Sequence, residues 1–272
     1  MYDLHTHTLF SDGKNTVDEM CLSAIEKGLS GIALTDHADM NVFAERDTAS
    51  RMKQAAEVIA VAKETYHGRL QVFCGVELGE YALNPQSANE LLASNPYDVV
   101  LYSEHFVPGA RWDKMYSRII FDDSVSDDEV REYMRLYFET INNTAAMFDY
   151  DVLGHISCPA RYITGRHKRH TDVMLYENTI KEILKKIIDR DIALELNTCG
   201  RCCESFGYYD AQNEEIFQMY KALGGKKVTL GSDAHAVGGI GRGFAEAKER
   251  LKSWGFDRYY YYVNRQPVAI PL

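Results

Sequence analysis

No stretch of about 18 apolar residues runs through this chain, so nothing in it is built to cross a bilayer as a helix. Its opening, MYDLHTHTLF, has no basic region followed by an apolar stretch, and no signal peptide is expected. Cysteine is sparse and unevenly spread, at Cys21, Cys74, Cys158, Cys199, Cys202 and Cys203. Without an export signal, this usage reads as reduced thiols in the cytoplasm. The run Cys199-Gly-Arg-Cys202-Cys203 invites a zinc reading, but no second CxxC completes four ligands. Basic residues are the minority, with 30 Lys and Arg against 40 Asp and Glu and a net charge of -10. That balance disfavours nucleic acid as a partner, since such binding neutralises many phosphates, but it leaves room for a pocket taking one phosphate. GxGxxG and GxxxxGK[ST] loops are both missing, which excludes the nucleotide sites they build. Internal repeats, low-complexity tracts and Pro/Gly/Ser-rich linkers are missing too. Residues 1–272 therefore read as one domain.

What is there is alternation. Short apolar runs predict strands near Tyr2–His5, Ile32–Thr35, Leu70–Glu77, Asp98–Tyr102, Asp151–His155, Ile192–Asn197 and Lys227–Gly231. Helical patterns separate them. Thr16-Val17-Asp18-Glu19 has the form of a capping box, and Gly28 follows as a stop. Further helices are predicted over Ala44–Tyr66, Gln86–Ala93, Ser126 to about Phe148, Thr171–Arg190, Asn213–Leu223 and Gly243–Trp254. Phe106–Ser126, rich in charge and aromatic residues, is the expected insertion and a candidate lid. Tyr259-Tyr260-Tyr261-Tyr262 predicts one more strand, with the tyrosines serving packing.

Strands alternating with helices imply a mostly parallel sheet in the α/β class. The polar residues favour a barrel over an open sheet. Barrel enzymes draw their site from the C-terminal ends of many strands, whereas open sheets concentrate it at one switch point. Here the predicted strands end on or near a His, Asp, Glu or Asn. Six of nine histidines, His5, His7, His37, His105, His155 and His235, take part. In His5-Thr6-His7 the imidazoles are two apart and share a face of a strand, so both can reach one cation. Read alone, the pair is equally two hydrogen-bonded histidines. Asp12 follows in the loop, Thr35-Asp36-His37 closes the second strand, and Ser232-Asp233-Ala234-His235 closes the seventh. Glu77 ends an apolar strand, where a buried acid is costly unless it is paired or metal-bound. Together these residues predict a polynuclear metal site. Mixed N and O ligands suit zinc, iron or manganese rather than calcium.

These segments resemble the PHP superfamily of polymerase and histidinol phosphatase domains, and the resemblance covers essentially the whole chain. It rests on HxH with a downstream Asp, TDH, a lone Glu after an apolar strand, two single histidines and SDAH. It implies a distorted (β/α)7 TIM-like barrel holding two to three divalent metal ions. By that resemblance His5, His7, Glu77 and Asp233 hold the first ion. Glu77, as a bridge, holds the second with His105 and His155, and Asp12, His37 and His235 hold the third. Within the superfamily the chain is similar to the stand-alone histidinol-phosphate phosphatases. Gly154-His155-Ile156-Ser157-Cys158-Pro159-Ala160-Arg161 resembles the stretch that supplies a phosphate-binding arginine. Glu195-Leu196-Asn197-Thr198-Cys199-Gly200-Arg201 resembles a second such segment.

The resemblance thus implies a phosphomonoesterase acting on a small phosphorylated metabolite, most simply L-histidinol phosphate. A metal-activated water would attack phosphorus, with Arg161 and Arg201 on the phosphoryl oxygens. Asp233 or His235 would assist proton transfer to the leaving oxygen. The amine and imidazole of histidinol phosphate call for an acidic wall, for which Glu104, Asp36 and Asp122-Asp123 are candidates. The rival expectations are action on another small phosphate ester, cleavage of nucleotide phosphodiesters, and a non-catalytic metal-binding module. Oligomeric state is left open.

Overall fold

The computed structural model describes residues 1–199 and 206–272, with side chains for 1–199 and 214–272. Arg201, Cys202 and Cys203, and with them the zinc reading of that cysteine run, lie outside the described residues. In chain order the strands are β1 (Tyr2–Asp3), β2 (Gly31–Leu34), β3 (His37–Asp39), β4 (Gln71–Gly79), β5 (Val99–Ser103), β6 (Val152–Leu153), β7 (Ala193–Asn197), β8 (Val228–Gly231), β9 (Arg258–Val263) and β10 (Gln266–Pro271). The helices are α1 (Val17–Glu26), α2 (Thr48–Thr65), α3 (Pro85–Ser94), α4 (Asp127–Thr144), α5 (Cys158–Ala160), α6 (Glu177–Asp189), α7 (Phe206–Ala222) and α8 (Phe244–Ser253).

Parallel pairing runs β1-β2-β4-β5-β6-β7-β8, with the short β3 added on β4. The ends of this sheet meet. Leu4 N donates to Leu230 O at 3.0 Å, Asp233 N to His5 O at 2.7 Å, and His7 N to Ala234 O at 2.9 Å. Seven parallel strands thus form a nearly closed barrel, as the alternation of strands and helices predicted.

Local chemistry explains the helices. Thr16 and Ser126 both cap with a complete capping box, each satisfying backbone donors that a helix start leaves orphaned. α4 then buries Val130, Tyr133, Met134, Tyr137, Phe138 and Ile141 along one stripe. Each such side chain removed from water contributes about 1.5–3 kcal/mol. α2 starts four residues later than predicted, because Asp47 at φ +48° breaks the run between a 3-10 turn and the helix. α6 likewise begins at Glu177, after a 3-10 turn over Val173–Tyr176. α7 begins at Phe206, ahead of the Asn213 start expected from periodicity.

The barrel interior is layered. Ala33, Phe73, Val99, Leu101, Val152 and Ala193 form an apolar plug toward the N-terminal ends of the strands. The predicted tail strand is a hairpin, β9 against antiparallel β10. Its Tyr261 and Tyr262 pack into the same apolar cluster, and Tyr261 stacks on Tyr2 with centroids 4.0 Å apart. Four positions along β4, past Gly75, the inward row turns from Phe73 to Glu77, and two positions along β7 it turns from Ala193 to Glu195. Bulk apolar residues thus close one end of the barrel, and ionisable ones line the other.

Candidate metal centre

Glu77 stands at the middle of that ionisable end and is fully buried. Five imidazoles surround its carboxylate. From Oε1, His155 Nε2 lies at 2.9 Å, His5 Nε2 at 3.2 Å and His105 Nε2 at 3.3 Å. From Oε2, His37 Nδ1 lies at 2.8 Å and His7 Nε2 at 3.6 Å. The outer part of the cluster follows from His7, whose Nε2 is 3.3 Å from Asp233 Oδ1. Asp12 Oδ1 meets His235 Nε2 at 2.9 Å and His37 Nε2 at 3.5 Å. Every histidine, aspartate and glutamate expected in the metal set therefore converges on one rim.

Proximity alone groups these atoms as His7, Asp12, His37 and His235; His5, His7 and Glu77; and His37, Glu77 and His105. The expected partition shares most of these members. It differs in that His7 also reaches the outer group and His37 also reaches Glu77.

The loops are held by their own polar groups. Asp36, a candidate for the acidic wall, is buried and accepts from Thr8 N, Thr8 Oγ1 and Ser11 Oγ, each within 2.7 Å. It thereby shapes the loop that presents Asp12. Gly13 is required in that loop, since a Cβ there would lie 2.5 Å from His7 O. Asp3 accepts from Ser232 N and Gly241 N, both at 2.9 Å, and so ties the SDAH segment to β1. Asp233 adopts a left-handed conformation, φ +52°, of the kind that costs a non-glycine residue free energy and clusters at functional sites.

Burial and charge oppose each other throughout. Burial alone would raise the Glu77 carboxyl, but the charges of His5, His37 and His105 overrule it and hold it well below the usual range. Burial would likewise raise Asp233, yet the His7 ring 3.3 Å away and the charges of His5 and Arg161 hold it far down. His7 goes the other way, lowered to about 4 by burial and by the neighbouring charge of His37.

These donors fit divalent cations. Among the described residues, His5 Nε2, both ring nitrogens of His7, His37 Nδ1 and Glu77 Oε2 are buried without a hydrogen-bond partner. Buried polar atoms without partners are rare, and each costs about 1–3 kcal/mol. Cations between the imidazoles and Glu77 would engage His5 Nε2, His37 Nδ1, Glu77 Oε2 and one ring nitrogen of His7, and the donor set is that of zinc, iron or manganese.

Arg161 opens a π-helical turn, Arg161–Arg166, which follows α5 directly. Its guanidinium is buried, with Nη1 3.1 Å from Asp233 Oδ2 and Nη2 2.6 Å from Asn197 Oδ1. Glu104 is buried too and accepts from Tyr102 Oη at 2.8 Å; burial, only partly offset by that bond, raises its carboxyl to about 8. Asp122 is exposed and accepts from Ser124 N at 3.0 Å. The segment 106–126 packs its Phe121 and Trp112 against Tyr133 of α4, and its Tyr116 ring lies 6.0 Å from that of His105.

Two carboxylates behind the rim escape a reading based on strand ends. Asp39 Oδ1 lies 3.1 Å from His105 Nδ1, and Glu195 Oε1 lies 2.7 Å from His5 Nδ1. Asp39 sits on β3, a strand too short for periodicity to reveal. Glu195 alternates with apolar neighbours on β7, and that was its one available signal.

Comparison with known proteins agrees with this architecture. The PHP domain family matches residues 3–199. A Clostridium acetobutylicum protein named "Probable histidinol-phosphatase" is 30% identical over 254 residues, covering 91% of each chain. A Thermotoga maritima protein of the same name is 26% identical over the full length of both. In fold, the chain is similar to a histidinol phosphate phosphatase of Lactococcus lactis subsp. lactis, solved in complex with zinc, L-histidinol and phosphate. The TM-score is 0.79 at 21% identity, with 98% of each chain covered. Barrel, clustered imidazoles and full-length relatives lead to one assignment: the chain belongs to the PHP domain family.

Proposed function

We propose that this chain is a metal-dependent phosphomonoesterase that hydrolyses L-histidinol phosphate to L-histidinol and inorganic phosphate. The observation that carries the chemistry is Glu77, one buried carboxylate with five imidazole nitrogens within 3.6 Å. His5, His7, Asp12, His37, Glu77, His105, His155, Asp233 and His235 would hold two or three divalent ions. Ions held there lower the pKa of bound water and draw charge from phosphoryl oxygens.

The chain's own groups do the rest. Glu77 would serve as the shared ligand of the inner ions, the role the family resemblance implies for it. Arg161 brings a fixed positive charge to the edge of the cluster, offsetting charge that grows on the phosphoryl oxygens. Arg201 is assigned the same task on the strength of the family resemblance. Asp233 or His235 moves a proton to the leaving oxygen. Glu104 is assigned to the substrate's cationic end, whose charge would offset the burial that otherwise raises this carboxyl to about 8. The likeness to full-length histidinol-phosphatases supports this substrate, as does the ligand of the Lactococcus structure.

A cavity of about 180 Å³ beside Asp233 and His235 favours a second reading. Lys14 and Arg242 line it, together with Cys199 and Ser232. Two cations there suit an anionic leaving group better than an amino alcohol, which points to another small phosphate ester. Steady-state kinetics on protein of known metal content decides between them. Histidinol phosphate should exceed both neutral and carboxylate-bearing phosphomonoesters in kcat/KM by more than tenfold, about 1.4 kcal/mol of transition-state binding. A carboxylate-bearing ester that matches or beats it would transfer the assignment to the second reading. No turnover of any small monoester would end both.

A further inference from the structure

Glu195 lies behind the imidazole rim, on the inward row of β7. Its neighbours in that row are Ala193 below and Asn197 above. Its side chain is buried and both oxygens are engaged. Oε1 faces His5 Nδ1 at 2.7 Å, while Oε2 accepts from His155 N at 2.8 Å and from Asn197 Nδ2 at 3.2 Å. The neighbouring strand β8 gives way to make room. A Cβ on Gly231 would fall 2.0 Å from Oε1, and one on Gly154 would fall 3.6 Å from Oε2 and 2.4 Å from Ser103 Oγ. Gly231 therefore has to be bare where this carboxylate sits, while the Cβ missing at Gly154 spares Ser103.

Its position relative to His5 decides its role. The ring presents Nε2 to Glu77 at 3.2 Å and Nδ1 to Glu195 at 2.7 Å, so the two carboxylates lie on opposite edges. Among the described residues, Glu195 belongs to none of the groups whose donor atoms could share an ion. A carboxylate that accepts from Nδ1–H holds the proton there and leaves the Nε2 lone pair facing the rim. Asp39 stands in a similar place behind His105, but it also lies 3.8 Å from His37 and groups with Glu80, so its role is less singular.

We propose that Glu195 is a positioning residue for the metal centre. It locks the His5 tautomer and ring so that Nε2 is offered to an ion, and through Asn197 it is joined to Arg161. Asn197 donates to Glu195 and accepts from Arg161 Nη2 at 2.6 Å, so one row on β7 supports both the innermost imidazole and the cationic arm. This inference rests on the reading of His5 as a metal ligand.

Glutamine at 195 isolates the effect because it keeps the shape. Two donors point at Oε2 and one at Oε1, so the single amide oxygen stays with His155 N and Asn197 Nδ2. Its NH2 then faces His5 Nδ1 and favours the tautomer with the proton on Nε2, the nitrogen an ion needs. The experiment titrates metal-free wild type, Glu195→Gln and His5→Ala with cobalt(II). Visible absorption reads the coordination, and competition with a chelating dye reads the affinity, without substrate.

The expected result is that His5→Ala loses one tightly bound cobalt, while Glu195→Gln binds that ion roughly 10–100-fold more weakly with an altered spectrum. Glu195→Gln within threefold of wild type, with an unchanged spectrum, overturns the inference while His5→Ala still upholds the ligand reading. Wild-type cobalt binding by His5→Ala overturns both. Should Glu195→Gln fail to fold, Glu195→Asp serves the same comparison: its shortened reach should weaken the same ion, and wild-type affinity there overturns the proposal.

Discussion

The guanidinium of Arg161 donates from Nη1 to Asp233 Oδ2 across 3.1 Å, with both side chains buried. The cation proposed to meet phosphate is therefore held against a proposed metal ligand. Arg161→Ala should lower kcat/KM by roughly 10²–10³, the usual cost of deleting one preorganised donor to a developing oxyanion. Arg161→Lys should recover only part, because an ammonium cannot reach Asp233 and Asn197 with one planar fork. Kinetics at matched metal content checks this, and a loss below threefold for the alanine variant would remove Arg161 from the machinery.

Glu77→Gln should lower bound metal by at least one ion per chain and activity by more than about a hundredfold, since the charge stabilisation a metal ion supplies amounts to several kcal/mol. Elemental analysis of dialysed protein, read beside turnover, tests it. Full metal content with near-normal activity would contradict the bridging role.

Metal removal should be felt in stability, and more so as pH rises. Burial would lower His37, but the charges of Glu77 and Asp39 overrule it and raise it to about 9. Burial is likewise overruled at His5 by Glu195 and Glu77, and at His105 by Glu77 and Asp39. A raised pKa means that the protonated form stabilises the metal-free fold. For His37 that contribution is full below about 6.5 and lost as pH climbs through about 9. Ions compete with those protons, so metal affinity should rise over the same window. Ligand at a thousandfold excess over Kd adds about 4 kcal/mol. The Tm difference between metal-loaded and chelator-treated protein should therefore widen from pH 6 to pH 9, and a difference that narrows would refute this.

Gly231→Ala should destabilise the fold by at least 1–3 kcal/mol, the usual cost of overpacking, because its Cβ would fall 2.0 Å from Glu195 Oε1 and 2.6 Å from His5 Cβ. Denaturant unfolding of the metal-free protein measures it. A variant as stable as wild type would show that Glu195 can move aside freely.

The sequence by itself determined the alternation of strands and helices, both capping boxes and the residues that end each strand, because these depend on spacing along one segment. The nine expected ligands stood out for that reason, as polar residues at or near predicted strand ends with Asp12 in the loop after the first, and the family resemblance grouped them into one set. Tertiary structure alone decided which of them meet. Glu77 touches imidazoles from segments as far apart as His5 and His155 because the strand ends converge around it. No local period encodes that convergence. It likewise decided that Glu195 backs His5, since the room for its carboxylate comes from Gly231 on the neighbouring β8. The tyrosine run shows the same division. Its packing role could be read from composition, but only the pairing of β9 with β10 puts Tyr261 against Tyr2 at the closed end of the barrel.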